Sequence, residues 1–338
     1  MKCLQIQGIN QVSVVDLPPE PIGEDMIRVA VHHVGLCGTD FALTEGTLGL
    51  NVWPVIPGHE VIGTVVESHS ARFGVGDRVV LDPVISCGIC HACQIGRPQW
   101  CEHVGVIGVV QDGGLREEMV LSDRQWVRWP RELPLNAGVL TEPLHVVETI
   151  FDLLGPERPP RMLVIGTGAL GLMMLHVLTH YWPETDLCVY DVVEDRLNRA
   201  AAIGAHPWRS NSNESVDVVI DGVGTAESFE MAASSVANGG HLVVYGVPKP
   251  GSKMPRADWL FRKNVRVSFS RLYTHEFHHP VPWLADGVVP AARIVSDNLS
   301  LEAAAAFLRE RRWKSPARWG KAVVTVNPEF HERQGGAQ

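Results

Sequence analysis

The chain has 338 residues, of which 45% are hydrophobic and 20% are charged, so it is long enough to bury two hydrophobic cores. Its formal net charge is −9 at pH 7 and it has no basic stripe, which argues against nucleic acid as a partner. It also has no apolar run of membrane-spanning length and no secretory leader, so we expect no membrane partner and a cytoplasmic location.

Residues 1 to about 144 contain short runs rich in β-branched residues, separated by glycine and proline. Examples are residues 26–31, 61–66 and 77–81. Runs of this length with such punctuation are typical of strands. The first half of the chain is therefore predicted to be a β-rich, barrel-like domain.

Two turns in this half carry residues that can bind a metal. Cys37 is followed by Thr39 and Asp40, and His59 is followed by Glu60. A thiolate, an imidazole and a carboxylate together suit zinc, and three protein ligands with an open position are typical of a catalytic site. The spacing alone leaves a catalytic zinc site and buried filler residues equally open.

Four cysteines lie close together at Cys87, Cys90, Cys93 and Cys101. This spacing predicts a tetrahedral zinc site, and four thiolate ligands leave no open position for chemistry. The alternative is a pair of disulfides, which fits poorly with a chain that has only seven cysteines and no leader. Two other cysteines, Cys3 and Cys188, lie in apolar runs and are predicted to be buried thiols, as expected in a reducing compartment.

From about residue 145 the pattern changes to an alternation of strands and helices, which predicts a doubly wound α/β domain with a parallel sheet. The predicted elements are strands at 162–166, 187–191, 216–221, 241–245 and 265–269, with helices at 169–181 and 195–203. After prolines at 280 and 282, a helix at 301–312 and a strand at 322–326 are predicted in the tail.

The first strand of this second half leads into a glycine-rich turn that opens a helix, which is the setting of a dinucleotide-binding loop. The turn reads Gly166, Thr167, Gly168, Ala169, Leu170 and Gly171. Asp191 follows 20 residues later at the end of the next predicted strand, where a carboxylate binds the adenosine ribose and repels a 2′-phosphate. We therefore predict a Rossmann site that prefers NAD. The alternatives are a tight turn in another α/β domain and a solvated, helix-capping Asp191.

These motifs occur together in one chain. With this combination and order of motifs, the chain resembles a zinc-containing medium-chain dehydrogenase/reductase of the alcohol dehydrogenase superfamily. The resemblance rests on the residues above together with 112–114 (Asp-Gly-Gly), 141–144 (Thr-Glu-Pro-Leu) and 320–324 (Gly-Lys-Ala-Val-Val). Glu142 and Pro143 resemble the polyol branch, which includes sorbitol, glucose and threonine dehydrogenases. Ordinary alcohol dehydrogenases have a cysteine there.

The resemblance implies a GroES-like catalytic domain over residues 1–144, to which residues 281–338 return, and a Rossmann domain over 145–280. It also implies two Zn²⁺ ions per subunit and NAD as cofactor. Members of the family form homodimers or homotetramers, and strand 265–269 with its flanks is the expected contact.

For the catalytic zinc, the resemblance implies Cys37 and His59 as ligands, with Glu60 and Glu142 as the two candidate glutamates. Either carboxylate, or both in different states, can bind. Without the resemblance, Glu142 is better interpreted as a carboxylate that interacts favourably with the N-terminal dipole of the helix predicted after it. Asp40 is expected behind His59, where it fixes the tautomer of the imidazole, with an exposed turn residue as the alternative.

The resemblance also implies that Thr39 is the first proton carrier. The relay histidine of alcohol dehydrogenases would fall at Ala42, so protons must leave either through Thr39 and the cofactor ribose or through Glu60 and solvent. Arg196 is expected over the adenosine ribose and Lys321 near the pyrophosphate. For both, a solvated surface charge is an equal alternative.

The predicted activity is hydride transfer between NAD and a secondary alcohol of a polyol, sugar, cyclitol or hydroxy-amino compound. One alternative is a non-catalytic NAD(H)-binding protein of the same fold. Another is an NADPH-dependent carbonyl reductase, which Asp191 and the lack of a basic residue at 192 and 193 disfavour. His145 is interpreted as a packing or surface residue, and the histidine-rich tract 271–279 as a border of the interdomain cleft.

Overall fold

The computed structural model describes residues 1–50, 52–209, 214–248, 256–273, 277–315 and 318–327. The strands are β1 (Lys2–Gly8), β2 (Gln11–Asp16), β3 (Met26–Leu36), β4 (Glu60–Ser68), β5 (Arg78–Leu81), β6 (Val84–Ile85), β7 (Gly105–Val106), β8 (Glu118–Ser122), β9 (Trp126–Arg128), β10 (Arg161–Ile165), β11 (Asp186–Tyr190), β12 (His206–Pro207), β13 (Val216–Asp221), β14 (Val236–Val244), β15 (Arg266–Phe269), β16 (Val295–Leu299) and β17 (Lys321–Thr325). The helices are α1 (Gly38–Glu45), α2 (His91–Gln94), α3 (Thr141–Leu154), α4 (Ala169–Tyr181), α5 (Glu194–Ala201), α6 (Ala226–Ser235), α7 (Ala257–Arg262), α8 (Val281–Ala285) and α9 (Leu301–Arg309).

A seven-stranded sheet organises the first half of the chain. Its order is β16-β17-β3-β4-β5-β9, with β8 also paired to β3. The central strand β3 is buried along most of its length, which explains its run of β-branched and apolar residues. The two strands from the tail join this sheet because β17 pairs antiparallel with β3 and β16 pairs parallel with β17.

A six-stranded parallel sheet organises the second half, in the order β12-β11-β10-β13-β14-β15. This is the doubly wound order in which the chain starts at the centre and winds outward in both directions. Strands covered by helices on both faces have near-continuous apolar sequences, as β10 and β13 do. The predicted fold class, a GroES-like β-rich domain plus a Rossmann sheet, is confirmed.

Two predicted elements differ from the observed ones by three or more residues at one end. Strand β14 begins at Val236 and not at 241, because Val236 already pairs with Val216 before the register shifts at Val218. Helix α9 ends at Arg309 and not at 312, since Arg311 adopts a left-handed conformation with φ 55° that interrupts the helix.

The two halves share a hydrophobic core. One buried cluster joins Ile62 and Val80 of the first sheet to α3, α4 and the inner face of the parallel sheet. The predicted boundary between residues 144 and 145 lies inside α3, and the division into domains remains a prediction. Within the described ranges, no helix combines the length and the apolar character needed to cross a membrane.

Candidate active site and metal centres

The four-cysteine lobe brings its sulfur atoms together without bonding them. The Sγ atoms of Cys90 and Cys93 are 3.5 Å apart and those of Cys87 and Cys93 are 4.0 Å apart, and all seven cysteines of the chain are free. Sulfurs joined in a disulfide lie about 2.05 Å apart, so the structure does not contain the alternative pairing. Zinc–sulfur bonds of about 2.3 Å at the tetrahedral angle place two sulfurs about 3.8 Å apart, which fits the observed distances between the Sγ atoms.

Backbone amides also donate hydrogen bonds to these sulfurs, which favours the binding of a cation. The amides of Cys87 and His103 both donate to Cys101 Sγ at 3.3 Å. Hydrogen bonds from the backbone lower the pKa of Cys90 to about 6, whereas desolvation and the Cys90 thiol raise the pKa of Cys93 to about 11. Four crowded sulfurs cannot all ionise without a cation, so the lobe fits a structural Zn²⁺.

The sparser set in the first sheet is assembled by strand pairing. Cys37 directly follows β3, and His59 and Glu60 stand at the start of β4, which pairs antiparallel with β3 through Gly35 and Glu60. One ligand atom from each of Cys37, His59 and Glu60 lies within 4.8 Å of the others. A Cβ atom on Gly35 would lie 2.0 Å from Glu60 Oε2, so any larger residue there would displace this carboxylate from its place beside β3.

Asp40, which the resemblance places behind His59, is buried next to this set. Its Oδ2 accepts the Cys37 amide at 2.8 Å, and its Oδ1 accepts the Gly58 amide at 3.1 Å and lies 3.8 Å from His59 Nδ1. Burial raises the pKa of Asp40. The carboxylate therefore fixes both turns that present the ligands, and it faces the ring nitrogen that has no hydrogen-bond partner among the described residues.

Lys321, which the resemblance places near the pyrophosphate, contacts this set. Its ammonium bonds to Glu60 Oε1 at 2.6 Å and reaches Leu36 O at 3.4 Å, and both charged side chains are buried. A buried carboxylate requires a counter-charge, which explains why the ammonium turns to Glu60. Glu60 Oε2 has no hydrogen-bond partner in the described part of the chain and is available to a metal.

Glu142 lies in the first turn of α3 but outside the 4.8 Å group. Burial raises the pKa of Glu142 to about 7, and the nearby Glu60 carboxylate adds to the effect. Of the two candidate glutamates, the structure thus brings Glu60 together with Cys37 and His59. Glu142 acts on the same residues electrostatically.

Thr39 occupies the first turn of α1 beside the candidate ligands. Its Oγ1 is 3.9 Å from Cys37 Sγ, and the side chain is partly exposed. Ala42 lies on the same helix. The Thr39 hydroxyl is thus the side chain of this helix that the structure shows next to the Cys37 sulfur.

A cavity of about 520 Å³ separates the two sheets and opens next to Cys37. It is lined by every residue predicted for the cofactor, namely Gly166, Gly168, Ala169, Leu170, Gly171, Asp191, Arg196 and Lys321. Gly166 has φ 91°, and a Cβ on Gly171 would lie 2.2 Å from Gly166 O. Both positions therefore need glycine, and the turn leaves the N-terminus of α4 open to a phosphate.

Asp191 supports this turn directly. Its Oδ2 accepts hydrogen bonds from the backbone and hydroxyl of Thr167 at 2.8 and 3.1 Å, and its Oδ1 accepts the Val193 amide at 2.9 Å. Arg196 Nη1 lies 3.5 Å from the same carboxylate, and Arg196 Nε donates to Arg318 O at 3.2 Å. Arg196 is therefore held at the Asp191 end of the cavity and is not a freely solvated charge.

Sequence reasoning missed Arg318, which also lines the cavity. Its guanidinium lies 5.3 Å from the Phe41 ring and 5.1 Å from the Phe307 ring, and burial lowers its pKa. The only sequence signal is its position shortly before the Gly320-Lys321 motif. Together with Arg196 it gives the cavity two cations suited to a dinucleotide phosphate.

A second missed group surrounds His145, which is fully buried. Its ring lies 4.8 Å from the rings of both Tyr273 and Phe277, and its Nδ1 is 3.3 Å from Glu148 Oε2. Glu148 also pairs with His279, and the Tyr273 hydroxyl donates to Asp82. His145 is thus the packed residue that the sequence suggested. Residues 274–276 of the predicted cleft border lie outside the described residues.

Comparison with known proteins assigns the chain to a family. Residues 23–131 match the alcohol dehydrogenase GroES-like domain, and residues 169–286 match the zinc-binding dehydrogenase domain. The chain is 31% identical to D-altritol 5-dehydrogenase of Agrobacterium fabrum over 90% of this chain and 92% of that one. It is 29% identical to a zinc-type alcohol dehydrogenase-like protein of Haemophilus influenzae, over 92% and 94% of the two chains.

A solved structure shows the same architecture. A zinc-binding dehydrogenase from Sinorhizobium meliloti, bound to NADP, is 27% identical and superimposes with a TM-score of 0.87 over 96% of this chain and 98% of that chain. The chain therefore belongs to the zinc-binding alcohol dehydrogenase family of medium-chain dehydrogenases, as its motifs suggested. This membership makes it an oxidoreductase of the NAD(P)-binding Rossmann type.

Proposed function

We propose that this protein is a zinc-dependent dehydrogenase that transfers a hydride from a secondary alcohol to NAD. The observation that carries the proposal is the position of Cys37, which lies within 4.8 Å of His59 and Glu60 and also lines the cavity that begins at the glycine turn. Metal-assisted hydride transfer needs a metal-binding centre and a dinucleotide within reach of one substrate. The substrate class we propose is a polyol, sugar, cyclitol or hydroxy-amino compound.

The residues of the site suit the groups that the reaction needs. Cys37, His59 and Glu60 would hold a catalytic Zn²⁺, with Glu142 as the further carboxylate near the set, and the glycine turn would hold the dinucleotide phosphates. When bound, zinc polarises the substrate hydroxyl and NAD accepts the hydride. With Cys87, Cys90, Cys93 and Cys101 holding a second ion, the proposal is two Zn²⁺ per subunit.

The chain itself positions these groups and moves the proton. Asp40 holds the Cys37 and Gly58 turns in place, and Lys321 neutralises Glu60 in the interior. We propose that the Thr39 hydroxyl accepts the proton that the substrate hydroxyl loses and gives up its own, for which the ribose of a bound cofactor would be the next carrier towards solvent. A Glu60 route to solvent is the alternative, since one Glu60 oxygen lacks a hydrogen-bond partner among the described side chains.

For the cofactor we propose NAD, because the Asp191 carboxylate lies at the cavity and would repel a 2′-phosphate. One observation favours the alternative, NADPH and carbonyl reduction: Arg196 lies 3.5 Å from Asp191 and reduces that repulsion. Titrations with NADH and NADPH separate the two. Tighter binding of NADPH would overturn our choice.

For the assembly we propose a homodimer or homotetramer that forms along β15. This strand is the last of the parallel sheet, and Phe269 at its end and Phe261 beside it are 56% and 87% exposed. An exposed strand edge with apolar flanks is a surface that pairs readily.

Because all seven cysteines are free, we also propose a reducing compartment, the cytoplasm.

The decisive experiment is an NAD-reduction screen over polyols, aldoses, inositols, amino sugars and threonine, with and without a metal chelator. We expect NADH formation with at least one class and its loss after chelation. The metal content of the same preparation should be two Zn²⁺ per chain. Turnover with none of these compounds, under conditions where NADH binds, would favour a non-catalytic NAD(H)-binding protein.

A further inference from the structure

A third group of metal-binding side chains lies far along the chain from both centres, at the outer edge of the parallel sheet. Asp186 and Cys188 are two residues apart on β11 and therefore point to the same face. His206, on the edge strand β12, is the register partner of Cys188. Strand geometry alone thus places a carboxylate, a thiol and an imidazole side by side.

The distance between His206 and Cys188 matches that between two ligands of one ion, and the distance between His206 and Asp186 is somewhat shorter. His206 Nε2 lies 3.5 Å from Cys188 Sγ and 3.0 Å from Asp186 Oδ1, and all three atoms are within 4.8 Å of one another. Zinc–ligand bonds of about 2.05 Å to nitrogen and about 2.3 Å to sulfur, at the tetrahedral angle, place the N and S atoms about 3.6 Å apart. The three ligand types are those that zinc prefers.

The charges around the group favour a cation as well. Arg161 is the one cation that the described structure shows in contact with the group. Its Nε lies 2.8 Å from the other Asp186 oxygen, Oδ2, and its guanidinium also interacts with the Cys188 thiol, so Asp186 Oδ1 stays available. Its Nη1 pairs with Glu214 at 2.7 Å, and its backbone amide bonds to Asp217. Three carboxylates against one guanidinium leave a net negative site.

The group is open on one side and closed on the other. The side chains of His206 and Asp186 are 52% and 42% exposed, whereas Cys188 is buried. An ion can therefore reach the imidazole and carboxylate from solvent, and the buried thiol closes the site from below. A fourth position remains open towards solvent.

We propose that Asp186, Cys188 and His206 form a Zn²⁺ site that fastens the two-residue edge strand β12 to β11. The site takes a divalent cation with a preference for nitrogen and sulfur ligands. It lies on the sheet edge opposite to β15 and contributes to the stability of the nucleotide-binding sheet, and it holds no part of the catalytic set. It stands independently of the proposed dehydrogenase activity.

The test is a calorimetric Zn²⁺ titration of the holoenzyme, whose two other centres are already filled, followed by the same titration of His206→Asn and Cys188→Ser. We expect one additional Zn²⁺ per chain in the wild type. Because loss of a group that merely supports a ligand weakens metal binding about 10–100-fold, loss of a ligand should weaken it at least about 100-fold. Added Zn²⁺ should raise the Tm of the wild type and not that of the variants.

The matched control is His69→Asn, since His69 is likewise half exposed and lies 3.8 Å from a carboxylate, that of Glu67, but has no thiol beside it. It should bind the additional ion like the wild type. Co²⁺ in place of Zn²⁺ adds a spectroscopic test, because the thiolate absorption of the wild type should be absent in Cys188→Ser. His206→Asn is on the surface and keeps the test valid if the buried serine variant folds poorly.

Equal binding by the wild type and His206→Asn would overturn the proposal, as would a lack of any additional ion in the wild type. Retention of the additional ion by a folded Cys188→Ser protein would also overturn it, since the thiol would then not be a ligand. Loss of the additional ion in His69→Asn would place it at His69 and would overturn the proposal as well.

Discussion

The four-cysteine lobe and the set at Cys37, His59 and Glu60 are both groups of potential metal ligands, but they are built in opposite ways. The lobe takes all its ligands from 15 consecutive residues, and backbone amides hold the sulfurs in place. The other set takes its ligands from two strands paired across a sheet and is supported by Lys321 from the end of the chain. Closed local centres stabilise, whereas open centres assembled from distant segments are the ones that can do chemistry.

The largest effect on hydride transfer is expected at His59. In His59→Asn the set loses its imidazole ligand, and because a catalytic metal supplies several kcal/mol, kcat/KM should fall about a thousandfold or more. Steady-state NAD reduction with a substrate from the screen measures this, and the metal content should fall by one ion per chain.

The control for this variant is His69→Asn, which changes an imidazole that is 48% exposed and remote from the set. It should retain full activity and metal content. An active His59→Asn protein with unchanged metal content would show that His59 is not a metal ligand. The set at Cys37, His59 and Glu60 would then not be the catalytic centre that distinguishes it from the lobe.

The next largest effect is expected at Thr39. Thr39→Val keeps the size of the side chain but removes the hydroxyl that lies 3.9 Å from Cys37 Sγ, so kcat should fall about a hundredfold, as is usual for loss of a proton carrier. Thr39→Ser, which keeps a hydroxyl, should retain most of the activity. A valine variant with normal kcat between roughly pH 6 and 10 would leave Glu60 as the proton route.

A smaller effect on rate is expected from Lys321→Met, which leaves Glu60 buried without its counter-charge. Groups that support metal ligands are worth about 10–100-fold, so kcat/KM should fall at least about tenfold. Breaking a buried ion pair costs about 3–5 kcal/mol, so the free energy of unfolding should also fall.

The double variant Glu60→Gln with Lys321→Met distinguishes charge from packing. It should recover much of the stability, because neither buried group is charged, but it should recover no activity. If both single variants were as stable as the wild type, the pair would not be the support that the structure indicates.

The sequence predicted those parts of the fold and site that depend on local pattern. The sequence predicts the apolar strands, the glycine turn before α4 and the four-cysteine lobe because each of these signals spans only a few consecutive residues. Cys37 and His59 could be proposed as partners only through the family resemblance, since spacing alone left them open.

Contacts between distant segments were not predictable in the same way. The Lys321 ammonium bonds to Glu60, 261 residues away, and Tyr273 bonds to Asp82, 191 residues away. The group at Asp186, Cys188 and His206 depends on the register of two parallel strands, which the sequence does not reveal. Arg318 escaped notice because its role follows from the cavity and not from a motif.

The smallest effect on hydride transfer is expected at Cys93, although the lobe is the clearest motif of the chain. In Cys93→Ser the tetrahedral set loses one sulfur, and kcat per folded molecule should stay within about twofold of the wild type, because a closed site offers no position to substrate. The Tm should nevertheless fall by several degrees and the assembly should weaken, since a structural zinc contributes directly to folding.

Thermal unfolding, metal analysis and active-site titration on the same sample test this distinction. Cys3→Ser is the control for cysteine chemistry in general, because Cys3 is a buried thiol outside the lobe, and it should keep its full metal content. A Cys93→Ser protein that stayed as stable as the wild type but lost only its chemical step would reverse the roles of the two centres. The lobe would then be the open centre, and the strand-assembled set would be the structural one.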